Sequence, residues 1–197
     1  MWYRFVQCFC WVIFKIFFRL EIIGRENIPL TGPVVIAANH VSLLDPPLVG
    51  TCSTRAVRFM AKEELFTFPL GAIYSSLGAF AVKRGASDRN AIKTALSILK
   101  TGGVLGIFPE GTRSLDGKLG NAEPGALAIA SKAGAMVVPT AVIGSQLKER
   151  KSFWPKMKVV YGEPLDFSKE QLHKEELEVK GKELMENIGF LLEKYKN

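Results

Sequence analysis

A histidine and a carboxylate stand five residues apart in Asn39-His40-Val41-Ser42-Leu43-Leu44-Asp45. They are the parts of a general base and the partner that orients it. The apolar, β-branched run Val34–Ala38 directly before them reads as a buried strand, which puts His40 at a strand's C-terminal end, where open α/β sheets place their ligands. On one continuous helix His40 and Asp45 would point about 140° apart. Pro46 disfavours helical backbone at Asp45 and Pro47 adds a second constraint, so a turn folding the carboxylate back onto the imidazole is expected. The carboxylate would then fix the tautomer and leave the other ring nitrogen free to accept a proton. Ser42 is placed to cap a following helical turn.

Sixty-odd residues later comes Phe108-Pro109-Glu110-Gly111-Thr112-Arg113-Ser114, closing another apolar run. Gly111 permits close approach or a positive φ, and its N–H is suited to face an oxyanion. Arg113 offers a planar fork for phosphate. Glu110 has two readings, holding Arg113 in place or capping the loop. A base needs something to activate. A serine hydrolase is disfavoured because no G-x-S-x-G elbow exists; the nearest segment, Tyr74-Ser75-Ser76-Leu77-Gly78, lacks the first glycine. Two histidines, the second being His173 in a charged stretch, give no metal cluster, and no phosphate-loop or dinucleotide glycine pattern is present. The proton acceptor at His40 therefore points to a hydroxyl on a substrate.

The two segments, read as NHxSxxD and FPEGTRS in this order, resemble the glycerolipid acyltransferase family, nearest its bacterial 1-acylglycerol-3-phosphate acyltransferases. The resemblance extends over about residues 24–165 through two further segments. Gly78-Ala79-Phe80-Ala81-Val82-Lys83-Arg84 matches the family's acceptor-phosphate motif, which implies that role for Arg84 and, beside it, Lys83. Val137-Val138-Pro139-Thr140-Ala141-Val142 matches its fourth motif, with Pro139 shaping the acyl-donor side. Ala61-Lys62-Glu63-Glu64-Leu65 resembles a family loop whose lysine binds phosphate, which points to Lys62. The resemblance implies transfer of a fatty acyl group from acyl carrier protein or coenzyme A to the sn-2 hydroxyl of 1-acylglycerol 3-phosphate. It implies no metal and no tightly bound cofactor. His40 and Asp45 would be catalytic, Arg84, Arg113, Lys62 and Lys83 would hold phosphate, Gly111 and Glu110 would shape the oxyanion loop, and Asn39, Ser42, Thr112 and Pro139 would support the motifs. A glycerol 3-phosphate or other lysolipid acyltransferase is the alternative inside the family. Outside it stands a non-catalytic module binding phosphorylated lipid, disfavoured because phosphate binding alone needs no base.

The elements that must carry these groups alternate. Strands are expected at Val34–Ala38, Val57–Ala61, Ala79–Lys83, Val104–Phe108, Met136–Ile143 and Val159–Tyr161. Helical periodicity appears at Asp88–Lys100, at Pro124–Lys132 closed near Gly134, and through a charged stretch from about Lys169 to 196 that packs one apolar stripe on the body. The expectation is a single α/β domain over residues 24–197, with a mixed, largely parallel central sheet flanked by helices. At 197 residues no linker or repeat divides it.

Residues 2–20, WYRFVQCFCWVIFKIFFRL, contain no helix breaker, and residues 1–23 are expected to form a membrane-associated helix. The longest uncharged stretch, Phe5 to Phe14, is only ten residues, too short to span a bilayer. Arg4, Gln7, Lys15 and Arg19 fall within an arc of about 120°, so the helix should lie in the headgroup plane with its basic stripe outward. A signal peptide is disfavoured, since no small-residue cleavage site follows. A second lipid-facing candidate is the Lys148–Lys158 segment, with Phe153-Trp154 among five basic groups. Formal net charge is +7, while residues 168–197 hold six Lys against seven Glu, so the positive excess lies in the rest of the chain. With an apolar N-terminus, that excess favours anionic lipid over nucleic acid as partner. Cys8, Cys10 and Cys52 have neither metal nor disulfide spacing and are expected as free thiols. The expected location is the cytoplasmic face of the cell membrane.

Overall fold

The computed structural model describes residues 1–83, 88–146, 153–167 and 172–196. Its centre is an eight-stranded mixed sheet built from β1 (Arg19–Ile23), β2 (Val34–Ala38), β3 (Val57–Lys62), β4 (Phe80–Val82), β5 (Val104–Ile107), β6 (Met136–Ile143), β7 (Lys156–Tyr161) and β8 (Leu165–Asp166). The order is β1-β7-β6-β2-β5-β3-β4, with β8 pairing β6 at its start. All pairs are parallel except β6 with β7 and β6 with β8. Strands β2, β3, β4 and β5 therefore end at one edge of the sheet.

Every residue of β2 is buried, which explains why its sequence shows no polar alternation. Val34, Ile36 and Ala38 face a layer made by α1 (Trp2–Phe17) and α2 (Asp45–Cys52), where Phe14, Phe18, Leu48 and Val49 pack. Val35 and Ala37 face the opposite layer of α4 (Arg89–Lys100), α5 (Pro124–Ala133) and α6 (Lys174–Lys194). The short α3 (Leu70–Ser76) joins β3 to β4 and lies on the α1 side, where the Trp2 indole N–H donates to Ser76 Oγ at 3.0 Å. Asp88 caps α4 by accepting from the Asn90 and Ala91 N–H groups, and Gly134 closes α5 with φ +58°.

Two expectations change, and a third gains detail. The N-terminal helix stops at Phe17, because Arg19–Ile23 pairs with β7 as a parallel edge strand, so residues 19–23 belong to the sheet rather than to a separate membrane segment. Asp45 is the first residue of α2 despite Pro46; prolines are tolerated in a helix's first turn because their missing N–H would have no intrahelical partner there. The polar stripe of α1 reaches back to the domain, with Gln7 partly buried and Arg4 and Lys15 exposed. Gln7 Nε2 donates to the carbonyls of Gly50, Thr51 and Ser53, Arg4 donates to Thr54 O, and Lys15 donates to Leu20 O. The orphan carbonyls closing α2 need donors, and this stripe supplies them. The outward face is apolar, with Trp2, Phe5, Phe9, Trp11, Val12, Ile16 and Phe17 exposed. Among the described residues no helix is long and apolar enough to cross a membrane. The first five residues of the Lys148–Lys158 segment, 148–152, lie outside the described residues, as does the expected start of the last helix at Lys169.

Candidate active site

Where β2 ends, the chain turns and folds Asp45 back beneath His40. Asp45 is fully buried, and its Oδ2 accepts from His40 Nδ1 at 2.9 Å and from the Val41 and Ser42 N–H groups at 2.7 Å each. Three N–H donors converging on one oxygen suit a carboxylate, which holds the Nδ1–H tautomer and leaves His40 Nε2 bare for a proton. Oδ1 is buried without a hydrogen-bond partner among the described residues. Ser42 does cap the turn: its Oγ accepts from the Leu44 N–H at 3.2 Å.

The imidazole lies flat on Phe108, with ring centroids 4.0 Å apart and planes 20° from parallel. Phe59 stacks behind Phe108 at 5.9 Å. Gly106 clears the space beneath, since a Cβ there would fall 2.2 Å from the Phe59 ring. This aromatic column was not legible in the sequence, although the phenylalanine before Pro109 is part of the motif.

The two signature segments are tied together by the backbone of His40. Its N–H donates to Glu110 Oε1 at 3.1 Å, and its carbonyl accepts from the Ser114 N–H at 2.8 Å. Glu110 Oε2 accepts from the Gly120 N–H at 2.9 Å, so both carboxylate oxygens are used on backbone. That resolves the ambiguity over Glu110: it positions His40 and its own loop, and it makes no bond to Arg113. Gly111 has φ +67°, as its type allows, but its N–H donates to Phe108 O at 2.9 Å. The expectation that this N–H faces an oxyanion therefore fails, because the turn has taken it. The N–H groups of Glu110, Thr112 and Arg113 are unengaged in that loop among the described residues. The Arg113 side chain is exposed and likewise unpaired among them.

Lys62 ends β3 opposite Val82, so Lys62 and Lys83 stand on neighbouring strand ends. Both are exposed; Lys83 Nζ lies 3.8 Å from Glu63, too loose and too solvated a pair to immobilise it. Arg84 lies outside the described residues. Asn39 is buried, with its side-chain amide donating to Val142 O at 3.0 Å and its oxygen accepting from Val142 N–H at 2.7 Å. It bridges β2 to β6 at the point where the chain leaves the sheet for His40. Pro139 sits inside β6 beside Ala37, and its carbonyl accepts from the Gly162 N–H, a structural place away from His40. Among the described residues no group of His, Cys, Asp or Glu is arranged to hold a metal. Cys52 is buried, which pushes its thiol up to about 12, while Cys8 is exposed.

A carboxylate-oriented imidazole at the C-terminal edge of an α/β sheet is suited to general-base work on a substrate hydroxyl. The chain belongs to the acyltransferase family: residues 19–143 match the family described as Acyltransferase. It is 34% identical over 166 residues to the 1-acyl-sn-glycerol-3-phosphate acyltransferase of Bacillus subtilis, covering 83% of this chain and 82% of that one. The chloroplast 1-acyl-sn-glycerol-3-phosphate acyltransferase of Arabidopsis thaliana is 35% identical over 133 residues, 66% of this chain, which spans only 37% of that relative's length. The crystal structure of the 1-acyl-sn-glycerophosphate acyltransferase from Thermotoga maritima superposes with a TM-score of 0.78 at 30% identity. That match covers 98% of this chain and 80% of that one.

Proposed function

We propose that the protein transfers a fatty acyl group from a thioester, of acyl carrier protein or coenzyme A, to the sn-2 hydroxyl of 1-acylglycerol 3-phosphate, forming phosphatidic acid. The names of the Bacillus and Thermotoga relatives support the acceptor. The observation that carries the mechanism is the His40–Asp45 contact at 2.9 Å with Nε2 left bare. Nε2 takes the sn-2 proton as the hydroxyl oxygen attacks the thioester carbonyl. Buried Asp45 offsets the charge of the imidazolium. The tetrahedral intermediate collapses by breaking the C–S bond, and the departing sulfur takes the proton back from Nε2. The products are one ester and one thiol. Lys62, Lys83, Arg84 and Arg113 anchor the acceptor's phosphate, and loop N–H groups near Thr112 meet the developing oxyanion.

The acceptor and product carry long acyl chains, so the site works at a bilayer surface. The exposed aromatic face of α1 suits the acyl boundary, and the thioester side suits the cytoplasmic face of the cell membrane. The test is purified protein in detergent with a panel of acceptors (1-acylglycerol 3-phosphate, glycerol 3-phosphate, lysolipids lacking a phosphate monoester) and both donors, products read by mass. Phosphatidic acid from 1-acylglycerol 3-phosphate is expected. Equal use of acceptors lacking phosphate would overturn the clamp.

A further inference from the structure

Between the two cations Lys62 and Lys83 the chain runs from Leu65 to Val82 through eighteen residues without a charge. A crossover of this length would ordinarily bury such a sequence, yet much of it is on the outside. Phe68 is 90% exposed, Leu70 52% and Ile73 47%, with Leu65 and Ala72 also exposed. Apolar patches of this kind on water-facing surfaces mark a binding partner. The segment lies on the same side of the sheet as α1, and the Trp2–Ser76 hydrogen bond joins the two helices at the sheet edge away from His40. α3 runs antiparallel to β3, so Leu65 and Phe68 lie toward the catalytic edge, just beyond Lys62.

We propose that Leu65–Ile73 is a second lipid-inserting element, and that with the outer face of α1 it seats the domain on the bilayer that holds the acceptor. This rests on the acyltransferase reading of the site. Charge favours a bilayer over a second copy of the chain. The patch carries no charge of its own, its rim at Lys62, Glu63, Glu64 and Lys83 is mixed, and the chain's net charge of +7 repels another copy while attracting anionic lipid. Continuity favours it too, since α1 presents a second, larger aromatic surface on the same side. In this arrangement the acceptor stays in the bilayer beside α3, and its phosphate meets the cations at the catalytic edge. The Phe68–Ile73 surface thus sets how acceptor reaches the base without touching the reacting atoms.

The test is flotation of the full chain with phosphatidylethanolamine–phosphatidylglycerol vesicles. Phe68→Asp/Leu70→Asp is compared with Phe190→Asp, an equally exposed position on α6 across the sheet. Phe68→Ser/Leu70→Ser guards against a folding defect in the charged variant. The α3 variants should weaken vesicle binding by about tenfold or more while Phe190→Asp does not. Turnover of a water-soluble, short-chain 1-acylglycerol 3-phosphate should stay at the wild-type level. Unchanged flotation would overturn the proposal, as would equal loss of short-chain turnover, which would make the segment part of the acceptor pocket. A switch from dimer to monomer with flotation unchanged would assign the patch to a second copy and overturn it as well. Flotation does not depend on turnover, so an inactive wild-type protein would refute the functional reading separately.

Discussion

Replacing Glu110 by Gln removes one acceptor and changes almost nothing in shape. In the native loop each carboxylate oxygen serves one backbone donor, His40 N–H at 3.1 Å and Gly120 N–H at 2.9 Å. An amide has one oxygen, so in either orientation its NH2 confronts one of those N–H groups. Loss of a hydrogen bond to a charged acceptor costs about 1.5–3 kcal/mol, and half-exposure puts this case near the low end. For a chain of this size that lowers Tm by about 3–6 °C. The larger effect falls on the rate. If the amide turns its NH2 toward His40, the peptide carrying the base is no longer held, and displacement of a catalytic group by about 1 Å costs on the order of 100-fold. If it turns toward Gly120, the loop shifts and carries Ser114, which holds the His40 carbonyl. Steady-state kinetics with saturating donor should show kcat down by about 10- to 100-fold with acceptor KM little changed. A rise in acceptor KM with kcat preserved would refute the argument, because it would mean that Glu110 acts by holding Arg113.

Four further outcomes follow from the geometry. His40→Ala should lower turnover by about 10²–10⁴ or more with the melting transition retained, and Asp45→Asn should be severely impaired, since its NH2 would be buried where Oδ1 has no partner; wild-type turnover in a folded His40→Ala protein ends the mechanism. Arg113→Lys should raise acceptor KM by about tenfold or more because the planar fork is lost, measured against acceptors with and without phosphate. Phe108→Leu should reduce kcat while Phe108→Tyr retains most of it, as expected if an aromatic face supports the imidazolium; equal rates in both variants would reduce the stack to space-filling. Iodoacetamide at pH 8 should alkylate Cys8 quickly and Cys52 only after unfolding, read by peptide mass, because burial keeps the Cys52 thiol protonated up to about 12.

The parts of the site legible in the sequence were those whose chemistry is local. His40 and Asp45 are joined by one turn, and the prolines after Asp45 announce it. Val34–Ala38 and Met136–Ile143 appear with the bounds expected because their apolar runs are buried throughout or at all but the end residues. β1 was hidden because its five residues continue an apolar helix without a breaker, and only its pairing with β7 makes it a strand. α2 and α3 were missed for a related reason: both are short, and α2 begins Asp-Pro-Pro, which reads as a turn. Glu110 and Asn39 could not be assigned roles, since their partners depend on strand order. The two faces of α1 were legible, but the partners of its polar stripe were not. Periodicity gives two faces, and the carbonyls left without intrahelical partners at the end of α2 decide which one meets the domain.

The three carbonyls gathered by Gln7 bear on how the molecule meets its substrate. An amphipathic helix hung from a flexible linker would supply residence at the surface and leave the attached domain free to swing. Gln7, with Arg4 and Lys15, instead bolts the helix to the framework like a bracket, so its axis and roll are set by the protein before any lipid is met. On the bilayer seating proposed above, the tilt of the sheet against the membrane plane becomes a property of the fold, and so does the height of His40 above it. The hydrogen bonds of Gln7, Arg4 and Lys15 serve as an alignment jig.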